Sequence, residues 1–190
     1  IKSKIKSPFP FINLMGMNEE FRHILKRAFE LGFEYESRYG GCCQCTIAAI
    51  QDALGIRSDD VFRSCTGIGG GIGLNPRGVC GALIGGALMI GYVFGRSREE
   101  FADPEKKRFK VYRLVDELAN KFINEYGSIY CQDIQMRVFN GVSYDLRSEK
   151  GWRLFNEDGG HKDKCPTVVG KAAQWTTEII LKEHKKIIKL

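Results

Sequence analysis

The stretch Gly40-Gly41-Cys42-Cys43-Gln44-Cys45-Thr46-Ile47-Ala48-Ala49-Ile50-Gln51-Asp52-Ala53-Leu54-Gly55 decides how the rest of the chain is read. Ile47, Ala48 and Leu54 recur at helical spacing, and Gly55 stands where a helix ends in a left-handed residue. The pattern predicts a helix over 42–54 that opens on a cysteine. The same placement returns at Cys80, Cys131 and Cys165, each at an expected helix start. Unpaired N–H groups and the helix dipole favour a thiolate there, the form that reacts or binds metal. These cysteines lie far apart in sequence, so only a folded helical bundle can bring them together.

Working outward, Asn18 with Glu19 and Glu20 starts a first helix, with Phe21, Ile24, Leu25, Ala28 and Phe29 as its apolar face and Gly32 as its stop. A tyrosine-containing link follows to Gly40-Gly41. Ser58 caps a short helix ending near Cys65, and the tract Gly67 to Gly73 is too glycine-rich for anything but an irregular loop. A helix from Cys80 to Gly95 carries Gly81 and Gly85 on one face and Ala87, Gly91 and Gly95 on another, a pattern that lets a neighbouring backbone come close. Asp103-Pro104-Glu105 opens the longest helix, with Phe109, Tyr112, Val115, Leu118, Ala119, Phe122 and Ile123 as its buried stripe and Gly127 as its end. Ser128 starts a short piece containing Cys131. Periodicity fades from 137 to 164, an irregular excursion that reads as a hairpin or lid. Pro166-Thr167 begins the last helix.

The reading is all-α: a single-domain bundle of about five to six helices, with no strand alternation to rival the helical periods. Residues 1–17 form an extended arm, 18–136 the helical core with the glycine-rich loop at 66–79, 137–164 the excursion and 165–188 the C-terminal helix. The 190 residues suffice for one substantial core.

Composition is that of a soluble globular protein, 43% hydrophobic and 27% charged. The net charge of +6 is mild, and lysines gather at both ends and around Lys106 to Lys110, where they read as solvated surface or a docking patch for an acidic electron donor. No arginine strip interleaved with aromatics points to nucleic acid. The longest apolar run, 79–94, falls short of the roughly 20 residues that span a bilayer, so no membrane is expected. The basic start is interrupted at Ser7 to Pro10 and does not read as a signal peptide. Seven cysteines cannot all pair within one chain, which favours metal or redox use and a cytoplasmic setting.

Cys42 and Cys45 stand one helical turn apart, a spacing that serves a disulfide or shared metal coordination. No strand precedes them, unlike thioredoxin-type motifs. The glycine tract is not a phosphate loop, because neither the dinucleotide fingerprint nor a following Gly-Lys-Ser/Thr is present. Asp59-Asp60 and Glu99-Glu100 are explained as helix starts, and no serine–histidine or paired-carboxylate arrangement stands out. His161, four residues before Cys165, is either a solvated loop residue or an extra ligand.

Gly41-Cys42-Cys43-Gln44, Gly69 to Gly73, Cys80-Gly81-Ala82-Leu83-Ile84-Gly85, Gly127 to Cys131 and Cys165-Pro166 occur in the order of the C-GCAxxG-C-C family, which the chain resembles over roughly 38–185. The resemblance implies a redox-active protein whose four characteristic cysteines fall on Cys42, Cys80, Cys131 and Cys165, with Gln44 as the family's usual glutamine. The chain also resembles the part of split-Soret cytochromes c that shares this pattern, which implies a homodimer and an iron–sulfur centre. Covalent haem is not expected, because Thr46 stands where Cys-x-x-Cys-His needs histidine. Cys43, Cys45 and Cys65 depart from the pattern. Four thiolates suit an iron–sulfur cluster or a zinc site of four cysteines. The expected ligands are Cys42, Cys80, Cys131 and Cys165, with Cys45 as the leading extra. Gly70, Gly71 and Gly81 are the expected close backbone contacts of the cofactor. Electron transfer with a redox partner protein follows, with possible oxidoreductase activity. The alternatives are a cluster-free thiol–disulfide oxidoreductase, cycling Cys42 with Cys45 or Cys80, and a zinc-stabilised helical binding module.

Overall fold

The computed structural model describes residues 17–188, and among these it contains eight α-helices, one π-helical turn and no strand. The helices are α1 (Met17–Tyr39), α2 (Cys42–Leu54), α3 (Asp59–Ser64), α4 (Gly81–Phe94), α5 (Lys107–Tyr126), α6 (Cys131–Val138), α7 (Glu149–Glu157) and α8 (Cys165–Ile188). The all-α reading holds, with more helices than the sequence pattern suggested. The arm expected over 1–17 lies outside the described residues, except for Met17, which opens α1.

The core is a bundle of α1, α2, α4 and α8, with α5 laid across α4 and α8. Ile47 and Ile50 of α2, Met89 and Ile90 of α4, and Ile179 and Ile180 of α8 are fully buried within it. Each such side chain contributes about 1.5–3 kcal/mol relative to exposure.

Glycines set the closest approaches. Gly32 does not stop α1. A Cβ there would lie 3.0 Å from the Gly170 Cα, so the glycine is where α1 and α8 touch, and α1 continues to Tyr39. A Cβ on Gly85 would lie 2.7 Å from the Cys43 carbonyl oxygen, and one on Gly86 would lie 2.3 Å from Thr176 Oγ1. α4 is therefore pressed against α2 on one side and α8 on the other, while Gly91 faces open space.

Three expectations are corrected. α5 starts at Lys107, not at Asp103. Asp103 is buried in the left-handed region (φ 57°) and still caps the helix, its carboxylate accepting from Lys107 N at 2.7 Å and Arg108 N at 3.2 Å. The buried stripe of α5 is Leu114, Leu118, Phe122 and Tyr126, whereas Phe109, Tyr112 and Ile123 are exposed. The longest helix is α8, at 24 residues.

The excursion at 137–164 is not irregular throughout. Ser148 accepts from Gly151 N at 3.0 Å and opens α7. Phe139, Tyr144, Leu146 and Phe155 form a second small apolar cluster beneath it. The π-helical turn at Gly160–Lys164 then runs directly into α8.

Candidate redox centre

Cys42, Cys80, Cys131 and Cys165 line a single cavity of about 90 Å³, reaching it from the starts of α2, α4, α6 and α8. Its apolar lining includes Leu74, Ile134, Leu146, Trp152 and Phe155, and Glu36, Gln135 and His161 are among its polar residues. The volume exceeds that of one water several-fold, so the sulfurs surround usable space.

Local structure explains the convergence. The segments before α4 and α6 pair through an isolated bridge between Val79 and Tyr130. Cys80 N donates to the Ile129 carbonyl at 2.9 Å and Cys131 N to the Gly78 carbonyl at 2.9 Å, which sets the two thiols side by side. Gly41, in the left-handed region, caps α2 and turns the chain so that Cys42 opens the helix. Gly81 has no room for a side chain, because a Cβ would lie 2.4 Å from Cys42 Sγ. Its glycine lets α4 start against that sulfur.

Cys165 corrects the expectation of a free helix start. Its N–H is bonded to the Gly160 carbonyl, within the π-helical turn that precedes α8. Such turns carry one residue more per bond than an α-helix and recur at functional sites. Here the turn packs under Phe155, whose ring would meet a Cβ on Gly160 at 2.2 Å, and it places both His161 and Cys165 on the cavity wall.

His161 is therefore not a solvated loop residue. Its Nδ1 is 2.8 Å from Asn156 Oδ1, and its Nε2 is 3.9 Å from Glu36 Oε1. Burial lowers its pKa. Glu36 on α1 is buried, and burial raises its pKa to about 7, against a lowering from its hydrogen bond with Cys45. Glu36 Oε2 has no hydrogen-bond partner among the described residues.

The thiols are not activated by their helix starts alone. The amides of Ala82 and Leu83 do point at Cys80 and favour its thiolate, but burial outweighs them and pushes its pKa up to about 12. Burial also raises Cys42, Cys131 and Cys165. The negative charge of Glu36 adds to this at all three, and that of neighbouring thiolates at Cys42 and Cys165. Gln135 opposes it at Cys131, donating to Sγ at 3.5 Å while its Oε1 accepts from Tyr144 N at 2.9 Å.

The remaining predicted positions divide. Gly70 and Gly81 are at the cavity, Gly70 as part of its wall and Gly81 against Cys42. Gly71 instead serves its own loop, where φ is 90° and a Cβ would lie 2.0 Å from the Asn75 carbonyl oxygen. Cys45 is not on the cavity wall; its thiol donates to the Gly40 carbonyl at 2.9 Å and contacts Glu36. All seven cysteines are free thiols. Among the described residues, no three His, Cys, Asp or Glu side chains are grouped so as to hold one metal ion, and no helix is long and apolar enough to cross a membrane.

Glu36, Gln135, Trp152 and Phe155 were not foreseen. Nothing in the sequence marks Glu36 apart from other acids of α1. The helical spacing of Trp152 and Phe155 after Ser148-Glu149 was a usable signal for α7.

No curated protein and no solved structure shows significant similarity to the chain. A family model described as "Putative redox-active protein (C_GCAxxG_C_C)" matches residues 41–179, a span that holds all four cavity cysteines. The chain belongs to the C_GCAxxG_C_C family.

Proposed function

We propose that this is a redox protein in which Cys42, Cys80, Cys131 and Cys165 hold an iron–sulfur cluster, and that it exchanges electrons with a partner protein. The observation that carries the reading is the convergence of these four cysteines, from four separate elements, on one cavity.

The donor set fits such a group. Four thiolates are its standard ligands, and each can bind a different iron, which suits sulfurs spread around a volume better than gathered on one ion. Buried thiols with raised pKa values are poor nucleophiles at neutral pH, which disfavours dithiol cycling within the cavity. A bound cationic centre would deprotonate the same thiols outright.

A cluster bound there supplies a one-electron couple. The chain's own residues provide its setting. Gln135 holds Cys131, the Ala82 and Leu83 amides face Cys80, and Gly70 and Gly81 leave room for close backbone approach. Glu36, its pKa raised to about 7 by burial, is only partly ionised at neutral pH and so brings less negative charge to the cavity, and its Oε2 has no hydrogen-bond partner among the described residues. Phe101, Phe109 and Tyr112 are exposed and offer apolar area for a partner or a second copy of the chain.

Anaerobic purification followed by absorption spectroscopy and iron, sulfide and zinc analysis tests the reading. Iron and sulfide in comparable amounts, with visible charge-transfer absorption, are expected. A colourless protein free of both would sink it, and zinc at one per chain would return the zinc-stabilised module.

A further inference from the structure

Three cysteines, Cys43, Cys45 and Cys65, stand outside the cavity. Cys43 and Cys65 are both fully buried and close enough to act on each other's protonation, Cys65 raising the pKa of Cys43 and Cys43 lowering that of Cys65. They come from different elements, Cys43 from the first turn of α2 and Cys65 from just after α3. Gln44 brings them together. Its Nε2 donates to the Phe62 carbonyl at 3.2 Å and to Thr66 Oγ1 at 3.1 Å, so it grips the chain on both sides of Cys65. Cys65 Sγ also donates to the Phe62 carbonyl at 3.2 Å.

The surroundings permit a small movement. α3 buries none of its six residues fully and packs on the core only through Val61 and Phe62, so the Gln44 grip supplies much of its hold. Closing two sulfurs already this near to a bond of about 2 Å needs only such a shift. Cys65 directly follows α3, so displacing α3 is the movement that would expose this buried thiol to a small molecule.

We propose that Cys43 and Cys65 form a reversible disulfide, a second redox site separate from the cavity, oxidised by a small-molecule disulfide of the glutathione type. Cys65, whose thiolate the contact with Cys43 favours, attacks the small disulfide, whose S–S bond breaks and releases one small thiol. The other protein thiol then attacks the mixed disulfide, forming the Cys43–Cys65 bond and releasing the second small thiol. The two S–H protons leave with the two small thiols, and the two electrons of the dithiol reduce the small disulfide. This site does not depend on the cluster reading.

The test uses the full chain, purified anaerobically, treated with oxidised glutathione, quenched by alkylation in denaturant and digested without reduction. Trypsin separates Cys65 from Cys42, Cys43 and Cys45, which share one peptide, so fragmentation spectra and a Cys45→Ser variant locate the bond. The expected product is a peptide pair joined through Cys43 and Cys65, with two fewer free thiols per chain, reversed by dithiothreitol and retained in Cys45→Ser. Cys43 and Cys65 both recovered alkylated, or Cys65 joined to Cys42 or Cys45, would overturn the proposal. Iron and sulfide content is measured separately, so loss of the cluster reading leaves this result standing.

Discussion

Two sets of cysteines share this fold and differ in what surrounds them. Cys42, Cys80, Cys131 and Cys165 face open volume, each from a different helix. Cys43, Cys45 and Cys65 face filled protein, where their thiols are taken up by one another, by the Gly40 and Phe62 carbonyls and by Glu36. The division even separates the adjacent residues Cys42 and Cys43, because successive helical side chains point about 100° apart. Burial does not distinguish the sets, since Cys80 and Cys131 are buried much like Cys43 and Cys45. Convergence on a cavity does.

The strongest way to break this division is to compare a cavity ligand with a packed thiol. Changing a residue that merely supports a metal ligand costs about 10–100-fold in affinity, so Cys80→Ser should lower bound iron per chain by more than about tenfold. Cys45→Ser should leave iron unchanged, because its thiol is bonded to the Gly40 carbonyl and Glu36 rather than lining the cavity. Iron analysis after anaerobic purification reads both. Equal iron loss in the two variants would erase the distinction.

The next effect concerns Glu36, which touches both sets. Its pKa rises from 4.5 to about 7 on folding, so the folded state holds the proton more tightly than the unfolded chain. Stability of the metal-free chain should therefore fall as pH rises from 4.5 to about 7, by up to about 3 kcal/mol, and level off above. Glu36→Gln should remove this dependence. Urea unfolding at pH 5 and pH 8 compares the two, and an unchanged slope in the variant would assign the pH dependence elsewhere.

The sequence made the cavity cysteines legible and left their neighbours obscure, for physical reasons. Helix starts are local, so Cys42 beside Gly41 and Cys80 beside Gly81 could be placed from their own few residues. Gly32 could not, because it looks like a helix stop until Gly170 is seen against it. Asp103 caps α5 across a left-handed turn, which the run Asp103-Pro104-Glu105 mimics with an ordinary cap. Phe109 and Tyr112 fit a helical stripe but fall on the outer face, where their rings pack on each other at 6.0 Å. Glu36, Gln135 and His161 acquire their roles only through tertiary contact. The thiol pKa values reversed expectation because burial, a tertiary quantity, exceeds what helix amides supply.

Glycines sharpen the comparison at smaller cost. Gly81→Ala forces a methyl to 2.4 Å from Cys42 Sγ and 3.1 Å from the Ile68 carbonyl oxygen, so it should destabilise by about 2 kcal/mol and reduce iron retention. Gly91, on the same helix, has nothing within 4 Å of where a methyl would sit, and Gly91→Ala should stabilise by about 1 kcal/mol through helix propensity. Thermal unfolding measures both. Opposite signs on one helix would tie the tight packing to the cavity end of α4.

The smallest expected effect separates the covers of the two sets. α7 closes the cavity side and is capped by Ser148, which accepts from Gly151 N at 3.0 Å. α3 lies over Cys43 and Cys65 and is capped by Ser58, which accepts from Val61 N at a longer 3.4 Å. Loss of a serine cap costs about 1 kcal/mol. Ser148→Ala should cost about that much, because α7 also buries Gly151 and Phe155, and the cap is held in a packed element. Ser58→Ala should cost less, since α3 buries none of its residues fully and its cap hydrogen bond is longer. Amide hydrogen exchange resolves the two helices separately. Faster exchange in α7 alone for Ser148→Ala, and in α3 alone for Ser58→Ala, would establish them as independent covers. Exchange spreading from one to the other would instead join the two cysteine sets into one cooperative unit.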